Sequence, residues 1–293
     1  MHTGAIMSST PTLTPLKPIP IKHIDLDLEK ESKDENSNLL AIAKKYLRWI
    51  QKWSLFPLAS YLPLHGINTL IIPSIEPSSA PNDVLMMIRE LTSGLGSKII
   101  WTGIAMHVLS GLGIRVLKMY TRKPPKHRKK NDLSPSGTEL IAPSKIGLVG
   151  GLSGYFIGVK RQLNYNPQVL TGWLLTPLLI FHGILMKILP QSSKVDIDFD
   201  FVKWLLNKER GSFVRWGLGY GPLIALIGLG TYHIFSGTVQ YLHIRNLKTR
   251  KRILNFMIIL ACSGIVGLNR LGSQLVIGMD RYYQPIIKKL LAK

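Results

Sequence analysis

A single cysteine, Cys262, occurs among 293 residues. That excludes an intramolecular disulfide and any zinc or iron–sulfur site built on cysteine, and leaves Cys262 as a small apolar packing residue. Acids are also scarce: 16 Asp and Glu face 37 Lys and Arg, a formal charge of +21. None of those acids falls in the long apolar runs. No carboxylate dyad, Ser/His/Asp set or Walker-type loop is present, so an enzyme is not expected. Residues 1–24 hold no arginine and no apolar core before a cleavage site, and residues 25–35 carry six acids. Neither a secretory signal nor a matrix presequence is expected at this end.

What the chain does have is long hydrophobic segments. Crossing a bilayer takes about 20 mostly apolar residues, and five segments qualify, near 53–74, 97–118, 168–190, 212–238 and 253–275. A charge at the bilayer centre costs roughly 2.5–3.5 kcal/mol on insertion scales, which accounts for the missing acids. The expected fold is all-α and integral to a membrane, with five transmembrane helices. Basic residues gather at particular span ends: Lys44, Lys45, Arg48 and Lys52 before the first, Lys118 to Lys130 after the second, Arg245 to Arg252 before the fifth. The loops 76–97 and 191–211 are near neutral. The positive-inside rule then puts the N-terminus and the 119–167 loop in the cytosol. The basic C-terminal tail, on the far side, departs from the rule. Some of these cations are expected to meet anionic lipid headgroups.

Four of the eight histidines sit inside spans, in two matched pairs. His65-Gly66-Ile67 and His182-Gly183-Ile184 each have a proline eight residues past the histidine, at Pro73 and Pro190. His107 and His233 each open a His-x-x-Ser-Gly element ending in Ser110-Gly111 and Ser236-Gly237. The pattern implies an internal duplication: repeat A over 53–118, repeat B over 168–238, then the fifth span 253–275. Neutral imidazole is a good axial ligand for haem iron, so His65, His107, His182 and His233 are candidate haem b ligands. Repeat symmetry pairs His65 with His182 and His107 with His233. Ser110 and Ser236 are placed to bond a backbone carbonyl or tune an imidazole. Arg115, Arg215 and Arg270 are candidate contacts for haem propionates or lipid headgroups. The plainer alternative is that the histidines are interhelical hydrogen-bond glue.

Outside the spans, residues 1–40 read as a disordered cytosolic tail. It holds one apolar island in which Leu13, Leu16, Ile19 and Ile21 surround Pro15, Pro18 and Pro20. The prolines favour an extended conformation, and an extended apolar segment suits docking onto a sheet edge or groove. Residues 41–52 read as a basic amphipathic helix lying in the interface, and 82–96 and 199–210 as short interfacial helices. The glycine-rich run 146–159 is too short to span comfortably and reads as interfacial or re-entrant.

The His-x-x-Ser-Gly element resembles the haem-ligand helix of the succinate dehydrogenase and fumarate reductase cytochrome b anchors. Pro18-Ile19-Pro20, with its apolar neighbours, looks like the Pro-x-Pro motif through which adaptors bind the bridge-like lipid-transfer protein, vacuolar protein sorting-associated protein thirteen. Together, tail and core resemble the fungal mitochondrial outer-membrane adaptor family of Mdm-ten-complementing protein one. That resemblance implies an adaptor in the mitochondrial outer membrane. Leu13, Leu16, Pro18, Ile19, Pro20 and Ile21 would bind the lipid-transfer protein at membrane contact sites and support phospholipid transport. Lipid scrambling by the core, along Ser110, Arg115, Ser236, Asn269 and Arg270, is an extension of this expectation. The alternative is a b-type cytochrome in electron transfer.

Overall fold

The computed structural model describes residues 24–121, 167–209 and 211–291, with side chains from Asn38 onward, Leu91 excepted. Every regular element among them is helical. Five helices are long and apolar enough to cross a membrane: Asn38–Ile75, Leu95–Tyr120, Pro167–Ser193, Phe213–Tyr241 and Leu247–Gly272. The all-α, five-span expectation therefore holds, with shifted ends. The Pro-rich segment 13–21 and the glycine-rich run 146–159 lie outside the described residues.

The N-terminal side differs from the sequence reading. Residues 24–40, expected to be disordered, belong to the helix Ile24–Trp53. Nor do residues 41–52 bend away into an interface. Ser54 keeps helical dihedrals (φ −63, ψ −17), and its N–H donates to the carbonyl of Ile50 at 2.9 Å. The helix thus continues into Leu55–Gly66. It lies against the second span in antiparallel register: Lys44 donates to Thr121 Oγ1 at 2.8 Å, Leu47 covers Gly113 and Gln51 covers Gly111. Packing against a neighbouring span outweighs the amphipathic pattern here.

Prolines shape the spans. The first holds a π turn at Ile67–Ile71, the third at Ile184–Ile188 and the fourth at Phe213–Tyr220. Each ends two residues before a proline (Pro73, Pro190, Pro222). A proline in a helix lacks an N–H and its ring presses on the carbonyl four residues back. Widening the preceding turn relieves that clash. Relative to His65 and His182 the two π turns begin at the same offset, and Pro73 and Pro190 are both buried.

The first and second spans form one hairpin, and the third and fourth form another. The fifth lies against the first and fourth. Its fit to the first uses small residues, as membrane helices commonly do. Ser263 donates to the carbonyl of Leu70 at 2.7 Å and meets Ser74 Oγ at 2.9 Å. Gly267 faces Pro73 and the Ser74 backbone so closely that a Cβ would sit 3.2 Å from both. Between the two hairpins, close backbone approach is confined to isolated points. One such point is Gly183, whose missing Cβ admits the indole of Trp101.

The densest packing lies beyond the ends of the spans. The loop helices Ala80–Thr92 and Phe199–Leu206 meet the C-terminal helix Asp280–Leu291 as a cap over one end of the bundle. Phe201, Trp204, Tyr283 and Ile286 are its core. The two hairpin loops are tied directly: the Phe199 N–H donates to Asn82 Oδ1 at 2.8 Å, and Lys203 donates to the Ser78 carbonyl and to Asp200, each at 2.7 Å. Helices are thus present in both loops read as interfacial, and they are docked on each other.

Candidate functional site

Three of the four span histidines are held at Nδ1 by their own hairpin. In the first hairpin the Tyr61 hydroxyl lies 3.2 Å from His65 Nδ1, one turn away, with the two rings stacked at 5.2 Å. Ser54 Oγ lies 3.4 Å from His107 Nδ1 across to the second span. In the other hairpin Thr171 Oγ1 and Gln168 Nε2 lie 3.3 and 3.4 Å from His233 Nδ1. Gly172 leaves room for that ring, since a Cβ there would stand 3.0 Å from His233 Cε1. At His65, His107 and His233 it is Nδ1 that is occupied.

The register of these contacts repeats. Ser54, which meets His107, precedes His65 by eleven residues, and Thr171, which meets His233, precedes His182 by eleven. At 1.5 Å per residue the bundle therefore carries two histidine levels about 16 Å apart. At the level nearer the cap, His65 and His182 face each other across the hairpins with ring centroids 6.3 Å apart and planes at 65°. At the other level His233 lies within electrostatic range of His107. Of the two pairings expected from the repeat pattern, His65 and His182 are brought ring to ring. All four rings are half-buried, whereas Ser110, Ser236 and Asn68 beside them are fully buried.

The polar residues nearby are engaged locally. Ser110 Oγ donates to the carbonyl of His107 at 3.1 Å. Ser236 Oγ bonds Gln168 Oε1, and Gln168 Nε2 bonds the carbonyl of His233 at 3.0 Å. The three arginines are not gathered at one place. Arg270 donates to the carbonyl of Ser74 at 2.6 Å. Arg215 lies 5.8 and 5.5 Å over the rings of Trp216 and Tyr220, a cation–π arrangement. Arg115 stands at the opposite end of the bundle in a cluster with Lys44, Arg48 and Lys118. Cys262 faces outward from the fifth span rather than packing inside.

At the cap, Glu76 accepts the N–H groups of Ser78, Ser79 and Ala80 at 2.8, 3.1 and 2.7 Å. These bonds hold its carboxyl down to about 2. Burial, then Asp198 and Asp200, push the Tyr283 phenol above its usual range. A cleft between the loops and the C-terminal helix is lined by Arg89, Asp196, Asp198, Tyr282 and Tyr283. Its charges are partly satisfied within it: Arg89 pairs with Asp196 at 3.2 Å, and the Tyr283 hydroxyl donates to Asp198 at 3.3 Å.

Sequence reasoning found the histidines but missed Ser54, Tyr61, Gln168 and Thr171, which orient them. The eleven-residue spacing was the signal: a hydroxyl-bearing residue precedes each His-Gly-Ile element by the same interval.

The sequence profile of the family described as "MDM10-complementing protein 1, transmembrane domain" matches residues 60–164 and 177–277, stretches that contain both hairpins' histidines. The chain belongs to the MDM10-complementing protein 1 family. It is 37% identical over 228 residues to a protein of Saccharomyces cerevisiae (strain ATCC 204508 / S288c) named Mitochondrial adapter protein MCP1. The alignment spans 78% of this chain and 74% of that relative. No solved structure matches the chain. Membership rests on the membrane core, where the histidine levels and π turns are found.

Proposed function

We propose that the chain is a mitochondrial adaptor whose membrane core, two duplicated hairpins and a fifth span, anchors a recruiting tail in the outer membrane. The observation that carries this reading is the relative named as a mitochondrial adapter, similar across most of both chains. The recruiting element is Leu13 to Ile21, with Leu13, Leu16, Pro18, Ile19, Pro20 and Ile21 as its contacts. The partner is the bridge-like lipid-transfer protein, vacuolar protein sorting-associated protein thirteen, held at contact sites to supply phospholipid. In this orientation the basic end of the bundle, with Lys44, Arg48, Arg115 and Lys118, faces the cytosol, in keeping with the positive-inside rule. The cap faces the intermembrane space. Replacing Pro18 and Pro20 with Ala leaves the protein in mitochondria and abolishes recruitment. Partner still gathering at mitochondria around the doubly substituted protein would overturn the assignment.

Lipid scrambling by the core extends the same reading, because a bridge delivers lipid to one leaflet only. Ser110, Ser236 and Arg270 already bond within the bundle, so a headgroup route from Arg115 at one end, past Ser110 and Ser236, to Asn269 and Arg270 at the other exchanges those bonds for bonds to the headgroup. Proteoliposomes in which dithionite quenches only the outer-leaflet probe would exclude it.

A further inference from the structure

The facing histidines are not accounted for by adaptor work. Two imidazoles joined by a direct N–H···N bond of about 2.9 Å bring their ring centroids to about 5 Å. Two imidazoles bound on opposite sides of one metal ion, each nitrogen about 2 Å from it, place the centroids about 6 Å apart. His65 and His182 stand at 6.3 Å, and no hydrogen bond joins them among the described residues. An edge-to-face aromatic contact would explain the distance alone. It would not explain why the Nδ1 atoms of His65, His107 and His233 are each taken by a neighbour. Holding one ring nitrogen leaves the other to ligate, and this is how ligating histidines are ordinarily oriented.

The surroundings select the kind of metal. A bare zinc ion takes at least three protein ligands, but the described residues offer no group of three His, Cys, Asp or Glu. Two axial imidazoles suffice only when something else supplies the equatorial donors, as a porphyrin does. A flat macrocycle also needs space between the helices that hold its ligands. The two hairpins leave close backbone contact to isolated points, and all four histidines keep some exposed surface.

We propose that the membrane core binds b-type haem between its hairpins, through His65 and His182 at the level nearer the cap and through His107 and His233 about 16 Å away. Tyr61 is a positioning residue for the first pair. Ser54, Thr171 and Gln168 position the second.

The test uses the full chain purified in mild detergent, with a pyridine haemochrome assay, iron and copper analysis and a reduced-minus-oxidised spectrum. The expected result is a bis-histidine b-type spectrum with two haems per chain, halved in His182→Ala and in His233→Ala and lost in the double variant. His182→Met separates ligation from folding. It keeps the haem at that level and raises its midpoint potential, as His/Met ligation does, a change that a merely structural histidine would not produce. Tyr61→Phe keeps the haem and shifts the potential of that level alone. Folded protein that stays colourless after titration with haemin overturns the proposal. So does copper in place of iron, or a haem content untouched by any of the four histidine substitutions.

Discussion

Trp204 holds the cap together, and its replacement separates packing from hydrogen bonding. The side chain is 2% exposed. Its ring lies 6.0 Å from Phe201 and 5.6 Å from Tyr283, and its indole N–H donates to Asp280 Oδ1 at 2.6 Å. Trp204→Ala removes the whole ring from a closed core, a loss of about 3–5 kcal/mol. Trp204→Phe keeps most of the apolar contact but leaves the Asp280 carboxylate without the indole donor. A hydrogen bond to a charged group contributes about 1.5–3 kcal/mol. The phenylalanine variant is therefore expected to lose roughly half as much as the alanine variant. Asp280→Asn, which keeps an acceptor without the charge, should lose about 1 kcal/mol. Denaturant unfolding in detergent, followed by circular dichroism, ranks the three. Limited proteolysis should release the helix Asp280–Leu291 first. Equal losses for Phe and Ala, or an undisturbed C-terminal helix in the alanine variant, would refute this account of the cap.

Three other outcomes are expected. Gly66 and Gly183 occupy matched positions beside His65 and His182, but a Cβ meets nothing within 4 Å at Gly66 and stands 2.5 Å from the Trp101 ring at Gly183. Gly66→Ala should be neutral or stabilising by up to about 1 kcal/mol, Gly183→Ala destabilising; thermal melting of both variants checks the sign. Ser263→Ala removes the bonds to Leu70 and Ser74 and should lose about 0.6 kcal/mol, the average for such bonds in a membrane bundle, measured by unfolding in mixed micelles. Because the carboxyl of Glu76 is held down to about 2 from 4.5, its contribution to folding is fully present above about pH 4.5 and fades as pH falls through about 2. Melting curves of wild type and Glu76→Gln should therefore differ at pH 7 and converge near pH 2; a constant gap would count against the Glu76 turn.

Much of the site was legible because membrane helices impose few options. Apolar length fixed the spans, and a histidine inside one is conspicuous, so the pairing of His65 with His182 followed from repeat position alone. The arginines were less legible. Arg115, Arg215 and Arg270 look alike in sequence as cations near span ends, yet one joins a basic cluster, one stacks on aromatic rings and one caps the carbonyl of Ser74. Which neighbour a long flexible cation reaches depends on elements distant in the chain. The helix Ile24–Trp53 was misjudged for a related reason. Its polar, acidic start reads as a tail and its basic end as a surface helix, and contacts with the second span at Gly111 and Gly113 do not show in its own residues.

By itself, then, the sequence determined that this is a five-helix membrane protein with intramembrane imidazoles at repeating positions, because insertion into lipid is decided segment by segment from apolar length and charge. Tertiary structure alone decided that the Nδ1 atoms of His65, His107 and His233 each find a neighbour on their own hairpin, that His65 and His182 stop 6.3 Å apart, and that three loop and terminal helices close into a cap around Trp204. Those outcomes depend on how the hairpins dock. Docking is fixed by a few close approaches, Trp101 over Gly183 and Gly267 against Pro73, whose partners lie far apart in the chain.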